Sequence, residues 1–154
     1  MVKEQIYQDI WEELPLIKTE INMKLPSLND YVRICRENRY KASKMKKDIE
    51  HEIGYFINRL PRFKNPITIH FHWIESNRKR DLDNIAFAKK FILDAMVKSG
   101  KLKDDNKRFV TGFTDTFEYG KQTKVILYID EVDGGITPKT PKTSRLPFTA
   151  TILR

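Results

Sequence analysis

Residues 66–76, PITIHFHWIES, constrain the fold more than any other stretch of this chain. Ile67, Thr68, Ile69 and Phe71 are β-branched or aromatic, types that suit a pleated surface, and their alternation predicts a strand. Apolar and aromatic side chains fall on both faces, Phe71 and Trp73 on one and Ile74 on the other. One face of such a strand has to pack a core, while part of the other is available to a partner. The chain must therefore build a sheet and cover it.

The rest of the sequence supplies the pieces. LIKTEINMKL (16–25) alternates Ile17, Thr19, Ile21, Met23 and Leu25 with polar residues, which predicts a half-buried strand. PSLNDY (26–31) reads as a turn, followed by a basic loop with Arg33, Arg36, Arg39 and Lys41. From about 41 to 60, Met45, Ile49, Ile53, Phe56 and Leu60 recur at helical spacing up to Pro61. A second helix is predicted over 84–99, with Ile85, Ala88, Ile92, Ala95 and Met96 on one face and Gly100 as its C-cap. RFVTGFTDTF (108–117) and KVILYIDE (124–131) predict two strands joined at Tyr119–Gly120 as a hairpin. The expected fold is a compact α/β domain on a mixed sheet, ordered β-α-β-α-β-β, with room for a short N-terminal helix. It spans residues 1–131; the Thr/Pro/Lys-rich residues 132–154 are expected to form an arm or linker outside the core.

A chain of 154 residues can bury a core without staples. Its one cysteine, Cys35, forms no intrachain disulfide, and neither a signal peptide nor an apolar run of membrane-spanning length is visible, so the expectation is a cytoplasmic protein with no membrane partner. Lys and Arg number 29 against 21 Asp and Glu, a formal net charge of +8, which suits a polyanionic partner.

Against that basic background the acids collect in two places, NRKRDLDNIAFAKKFILDAM (77–96) and KLKDDNK (101–107). Asp81 and Asp83 flank Leu82, and their carboxylates stay close whether the backbone is extended or helical. Asp83 is placed to cap the following helix. Two adjacent carboxylates are tolerable with a cation or basic neighbours between them, and Arg78, Lys79 and Arg80 are such neighbours. Lys90 falls on the helical stripe of Asp83, about 10 Å along, and leans back toward it. The plainer reading of Lys90 is a surface lysine paired with Asp94 at i+4. A strand returning after Gly100 would carry Asp104 or Asp105 back toward the helix start. Several carboxylates in a basic surround suit a hard divalent cation and phosphodiester hydrolysis. The aspartates do not make an EF-hand, which needs a glycine and a closing glutamate absent here. His70 and His72 would suit zinc only with further ligands, and His51 stands alone on a helix.

These residues, KRDLDNIAFAKKFILDAMVKSGKLKDD together with LPSLNDY, resemble the signature of the RusA family of Holliday junction resolvases: R-D-L-D-N, a lysine-bearing helix with D-A-[LM], a glycine, then D-D. The resemblance is concentrated in residues 79–105. It implies a small α/β homodimer that cuts four-way DNA junctions with Mg²⁺ or Mn²⁺. Asp81, Asp83 and Asp105 would be metal ligands, Lys90 the catalytic lysine, and Lys89 the second choice. Counted forward from Asp83, the family spacing lands on Phe87, so this helix carries about one extra turn. The expected function is a junction-resolving endodeoxyribonuclease, with Arg78, Lys79 and Arg80 on DNA phosphates. The alternatives are a less selective nuclease and a non-catalytic DNA-binding module.

Overall fold

The computed structural model describes residues 17–132; the expected N-terminal helix and the arm beyond Val132 lie outside the described residues. Four strands, β1 (Ile17–Ile21), β2 (Ile67–Glu75), β3 (Val110–Tyr119) and β4 (Lys124–Glu131), alternate with helices α1 (Leu28–Glu37), α2 (Arg39–Ile57), α3 (Leu82–Ala86) and α4 (Lys89–Lys98). Their order is β1-α1-α2-β2-α3-α4-β3-β4, the expected mixed α/β domain with α1 added before the first expected helix and the second expected helix split in two.

The strands form one sheet in the order β1-β4-β2-β3. β4 runs antiparallel to both β1 and β2, whereas β3 runs parallel to β2. The expected β3–β4 hairpin is therefore not formed: the two strands lie on opposite sides of β2. Burial explains the choice. Val125, Ile126 and Leu127 are consecutive and all buried, so β4 is covered on both faces and belongs inside the sheet. β3, with its polar TGFTDT run, takes the edge. Its turn sits where expected but passes over the end of β2, where the Gly120 N–H donates to the Glu75 carbonyl at 2.9 Å. A Cβ on Gly120 would stand 2.7 Å from the Ile74 side chain, which is why this close crossing needs glycine.

One face of the sheet packs the helices. Ile67, Ile69, Phe71 and Trp73 of β2 meet Ile53 and Ile57 of α2 and Phe91, Ile92 and Met96 of α4 in a single apolar cluster. Each such large side chain contributes about 1.5–3 kcal/mol on leaving water. Ile74 and Ile126, on the other face, are buried yet lie outside that cluster. Among the described residues no helix is long and apolar enough to cross a membrane.

Two local differences from the sequence reading bear on function. Residues 28–37, expected as a turn and a basic loop, are helical because Ser27 and Asp30 form a capping box: the Asp30 N–H donates to Ser27 Oγ at 3.1 Å, and the Ser27 N–H to Asp30 Oδ2 at 3.2 Å. The helix expected over 84–99 is interrupted after Ala86. There the bonding tightens to i−3, from Ala88 to Ile85 at 3.2 Å and from Lys90 to Phe87 at 3.0 Å. Phe87 packs its ring 5.7 Å from Tyr31 and 5.6 Å from Phe91.

Candidate active site

The segment carrying the paired aspartates is anchored from behind. Arg80 is turned inward: its Nε donates to Glu75 Oε1 at 2.9 Å, one Nη contacts the same oxygen, and the other donates to the Leu25 carbonyl at 2.7 Å. The guanidinium thus joins the segment between β1 and α1 to the end of β2 just before Asp81. A pair this buried costs much to break, since either partner left alone is an uncompensated charge. Arg80 is accordingly a brace for the loop rather than an open phosphate contact. Of the other two residues expected on DNA, Lys79 is exposed, and the Arg78 guanidinium lies 4.8 Å from the Tyr119 ring centre.

Asp81, not Asp83, occupies the N-cap position of α3, and its side chain makes no capping hydrogen bond. The Asp83 Oδ1 accepts from the Asn84 N–H at 2.9 Å. Both residues are exposed. Asn84 completes the motif in an unexpected way: its Oδ1 accepts from the Asn29 N–H at 3.2 Å, tying R-D-L-D-N to the first turn of α1 and hence to P-S-L-N.

Lys90 pairs with Asp94 at 2.9 Å, as the plainer reading had it, and also with Asp105 at 3.1 Å. Asp94 is held from the other side by Lys46 of α2 at 2.9 Å, and Lys46 lies 3.7 Å from the buried Glu50, which Lys98 also contacts. The hydrogen bond to Asp94 holds the Lys90 ammonium above its ordinary range, against the opposing effect of burial. For Asp94 burial pushes upward, but the hydrogen bonds from Lys46 and Lys90 outweigh it and keep the carboxyl below the usual range. Lys90 is therefore a cation across the neutral pH range. Asp104 is turned to its own loop, accepting from the Asp105 N–H at 2.8 Å and from Asn106 Nδ2 at 2.7 Å.

Lys89, the second choice, points elsewhere. Its Nζ donates to Asp115 Oδ2 at 2.6 Å and lies 4.0 Å from the Phe113 ring centre, and the other Asp115 oxygen accepts from the Trp73 indole at 2.8 Å. Asp115 was not singled out by the sequence: an aspartate in a strand carries no sign of the lysine it will meet.

The expected metal ligands are thus divided. Asp81 and Asp83 stand on the first turn of α3, and Asp105 stands on the loop after α4 against Lys90. Among the described residues no three His, Cys, Asp or Glu side chains form a group able to hold a metal ion. His70 and His72 lie on the sheet's other face, their rings stacked at 6.5 Å and bonded to Thr114 and Thr116. His51 is on the outer face of α2, 3.1 Å from the Tyr55 hydroxyl. No protein-family model matches the chain, and no curated protein matches it in sequence.

Proposed function

We propose that the protein is a metal-dependent endodeoxyribonuclease of the RusA type, acting on branched DNA and on four-way junctions in particular. The observation that carries this reading is the meeting of Lys90 and Asp105, 15 residues apart, at 3.1 Å. The lysine and the far aspartate of the two-part motif are one local arrangement in space.

The donor chemistry fits Mg²⁺ or Mn²⁺. Mg²⁺ takes one or two carboxylates with water and substrate phosphate, which is what the exposed pair Asp81 and Asp83 offers, while Asp105 stands against Lys90. Bound there, such an ion supplies activation of water and stabilisation of the leaving oxygen. The chain's own residues do the rest. Arg80 and Glu75 fix the loop that carries the pair, and Asn84 fixes its position against α1. Lys90 places positive charge where a phosphodiester gains negative charge in the transition state. Arg78 and Lys79 meet backbone phosphate. A four-way junction has two-fold symmetry, so the working unit is a C2 homodimer with one site per subunit.

Cleavage of a synthetic four-way junction, a duplex and a single strand, with and without Mg²⁺, tests the reading. Cutting confined to the junction and to Mg²⁺ is expected, and Asp81→Asn or Asp83→Asn should abolish it while junction binding survives or tightens. Cutting of all three substrates would mean a less selective nuclease. Binding without cutting would mean a non-catalytic module, and wild-type rates from either variant would remove the aspartates from the site.

A further inference from the structure

The excess positive charge of the chain is not spread evenly. Between Arg33 and Lys47 there are seven Lys and Arg and one acid, Glu37, against a net charge of +8 for the whole sequence. This stretch is the end of α1, the start of α2 and the corner between them.

The corner is built rather than loose. Asn38 closes α1 with its N–H on the Ile34 carbonyl at 2.9 Å and opens α2 with its side chain, which accepts from the N–H groups of Tyr40 at 2.8 Å and Lys41 at 3.3 Å. Both arms are tied to the candidate active site. Asn29 at the start of α1 bonds Asn84, and Lys46 in the first half of α2 pairs with Asp94 beside Lys90. An open concavity of about 450 Å³, lined by Asn29, Val32, Arg33, Arg36 and Glu37, runs along the outer side of α1. Arg33 is engaged by Asp30 and Glu37, while Arg36, Arg39, Lys44 and Lys47 are exposed and form no ion pair among the described residues. At the apex Tyr40 is 71% exposed, with the Arg39 guanidinium 5.0 Å from its ring centre. Arg39 also donates to the Tyr40 hydroxyl at 3.1 Å, so one face of the ring carries its own cation, and the exposed remainder, among these cations, suits an unstacked base beside phosphate.

We propose that the α1–α2 corner is a DNA-binding surface, in which Arg36, Arg39, Lys44 and Lys47 hold the backbone of one arm and Tyr40 stacks on a base unstacked at the crossover. The inference rests on the nuclease reading above and places the substrate's approach on this side of the site.

Fluorescence anisotropy of the full chain in chelator, with labelled four-way junction, duplex and single strand over a range of salt, tests it. The triple variant Arg36→Gln/Arg39→Gln/Lys44→Gln should bind the junction at least tenfold more weakly, with a salt slope smaller by about two to three, one step of about 0.9 for each phosphate no longer neutralised. The control Arg59→Gln/Lys64→Gln, beyond the far end of α2 and roughly 27 Å along its axis, should bind as wild type does. Tyr40→Ala should weaken the junction and the single strand about tenfold and leave the duplex unchanged. Circular dichroism separates these effects from unfolding; should the triple variant unfold, Arg36→Gln and Lys44→Gln singly must each reduce the slope by about one. If the wild type binds with a steep slope and the triple variant matches it in affinity and slope, the corner is not the surface. Equal weakening on duplex and junction from Tyr40→Ala would overturn the stacking role. A wild type that binds none of the three DNAs would instead overturn the nuclease reading on which this rests.

Discussion

Two neighbouring lysines illustrate how much a single residue's setting decides. The Lys89 side chain is 14% exposed and its ammonium is committed to Asp115; that of Lys90 is 54% exposed, and of its two partners the part-buried Asp94 keeps Lys46 when Lys90 is removed, while Asp105 is partly open to water. Lys89→Ala should therefore act on stability, because it strands a half-buried carboxylate, and a loss of about 1–3 kcal/mol in chemical denaturation is expected. Lys90→Ala should leave stability within about 0.5 kcal/mol and slow junction cleavage far more than it weakens junction binding. The reverse pattern, with Lys89→Ala the catalytic defect in a stable protein, would transfer the role to Lys89. The sequence put Lys90 first and Lys89 second, but it could not show what either ammonium meets, since an adjacent pair on a helix differs chiefly in the elements that each side chain reaches. It anticipated the Lys90–Asp94 pair because that pairing is local. Asp115 and Lys46 escaped notice because their partners lie on other elements.

At the level of elements, the apolar periodicities were reliable and the connections were not. β2, α2 and α4 appear close to where their spacing puts them, because burial of an alternating or helical face is written into consecutive residues. The β3–β4 hairpin failed because a good turn at Gly120 says nothing about which strand lies between its arms. The four consecutive apolar residues of VILY, in contrast to TGFTDT, held the better clue to which strand is interior. The α1 capping box is legible as S-x-x-D, but the same residue types also suit a turn. Ser27→Ala should cost about 1 kcal/mol by denaturant unfolding. Because α1 carries Asn29 to Asn84, the same change should also reduce cleavage by the otherwise intact site. Gly100, at φ 74° where α4 stops, supplies the one conformation there that an L side chain resists. Gly100→Ala should cost about 1–2 kcal/mol although an added Cβ would stand 4.0 Å from its nearest neighbour, the Arg62 guanidinium, without a clash.

For the molecule as a whole, acid sensitivity follows from the sheet's second face. Burial pushes the His70 imidazole down from its ordinary 6.5 to about 3, and the neighbouring His72 adds to the effect. The unfolded chain binds that proton at higher pH than the folded one. The contribution of His70 is therefore fully present above about pH 6.5 and is lost as pH falls toward 3. Unfolding free energy measured at pH 7, 5 and 4 should drop several kcal/mol less for His70→Gln than for the wild type over that window. If both fall alike, other groups govern the acid limit. Symmetric assembly is tested by mixing: dimers of wild type with Asp83→Asn should nick a junction once and resolve it poorly. Paired nicks made by a particle that light scattering shows to be a monomer would remove the dimer from the proposal.

The position of β4 has a consequence for how the protein is made. β1, at the start of the described fold, pairs only with β4, and β4 sits between β1 and β2. A ribosome delivering the chain from its N-terminus therefore releases β1, both pairs of helices, β2 and β3 before the strand that joins β1 to the rest exists. Until residue 131 is clear, β1 has no sheet to join, and the inner edge of β2 offers unpaired backbone to any passing strand. Pairings between residues more than a hundred positions apart are slow to form. Synthesis should thus leave an interval in which the nascent protein depends on chaperones, and its yield should depend on temperature during expression more steeply than the stability of the finished fold would suggest.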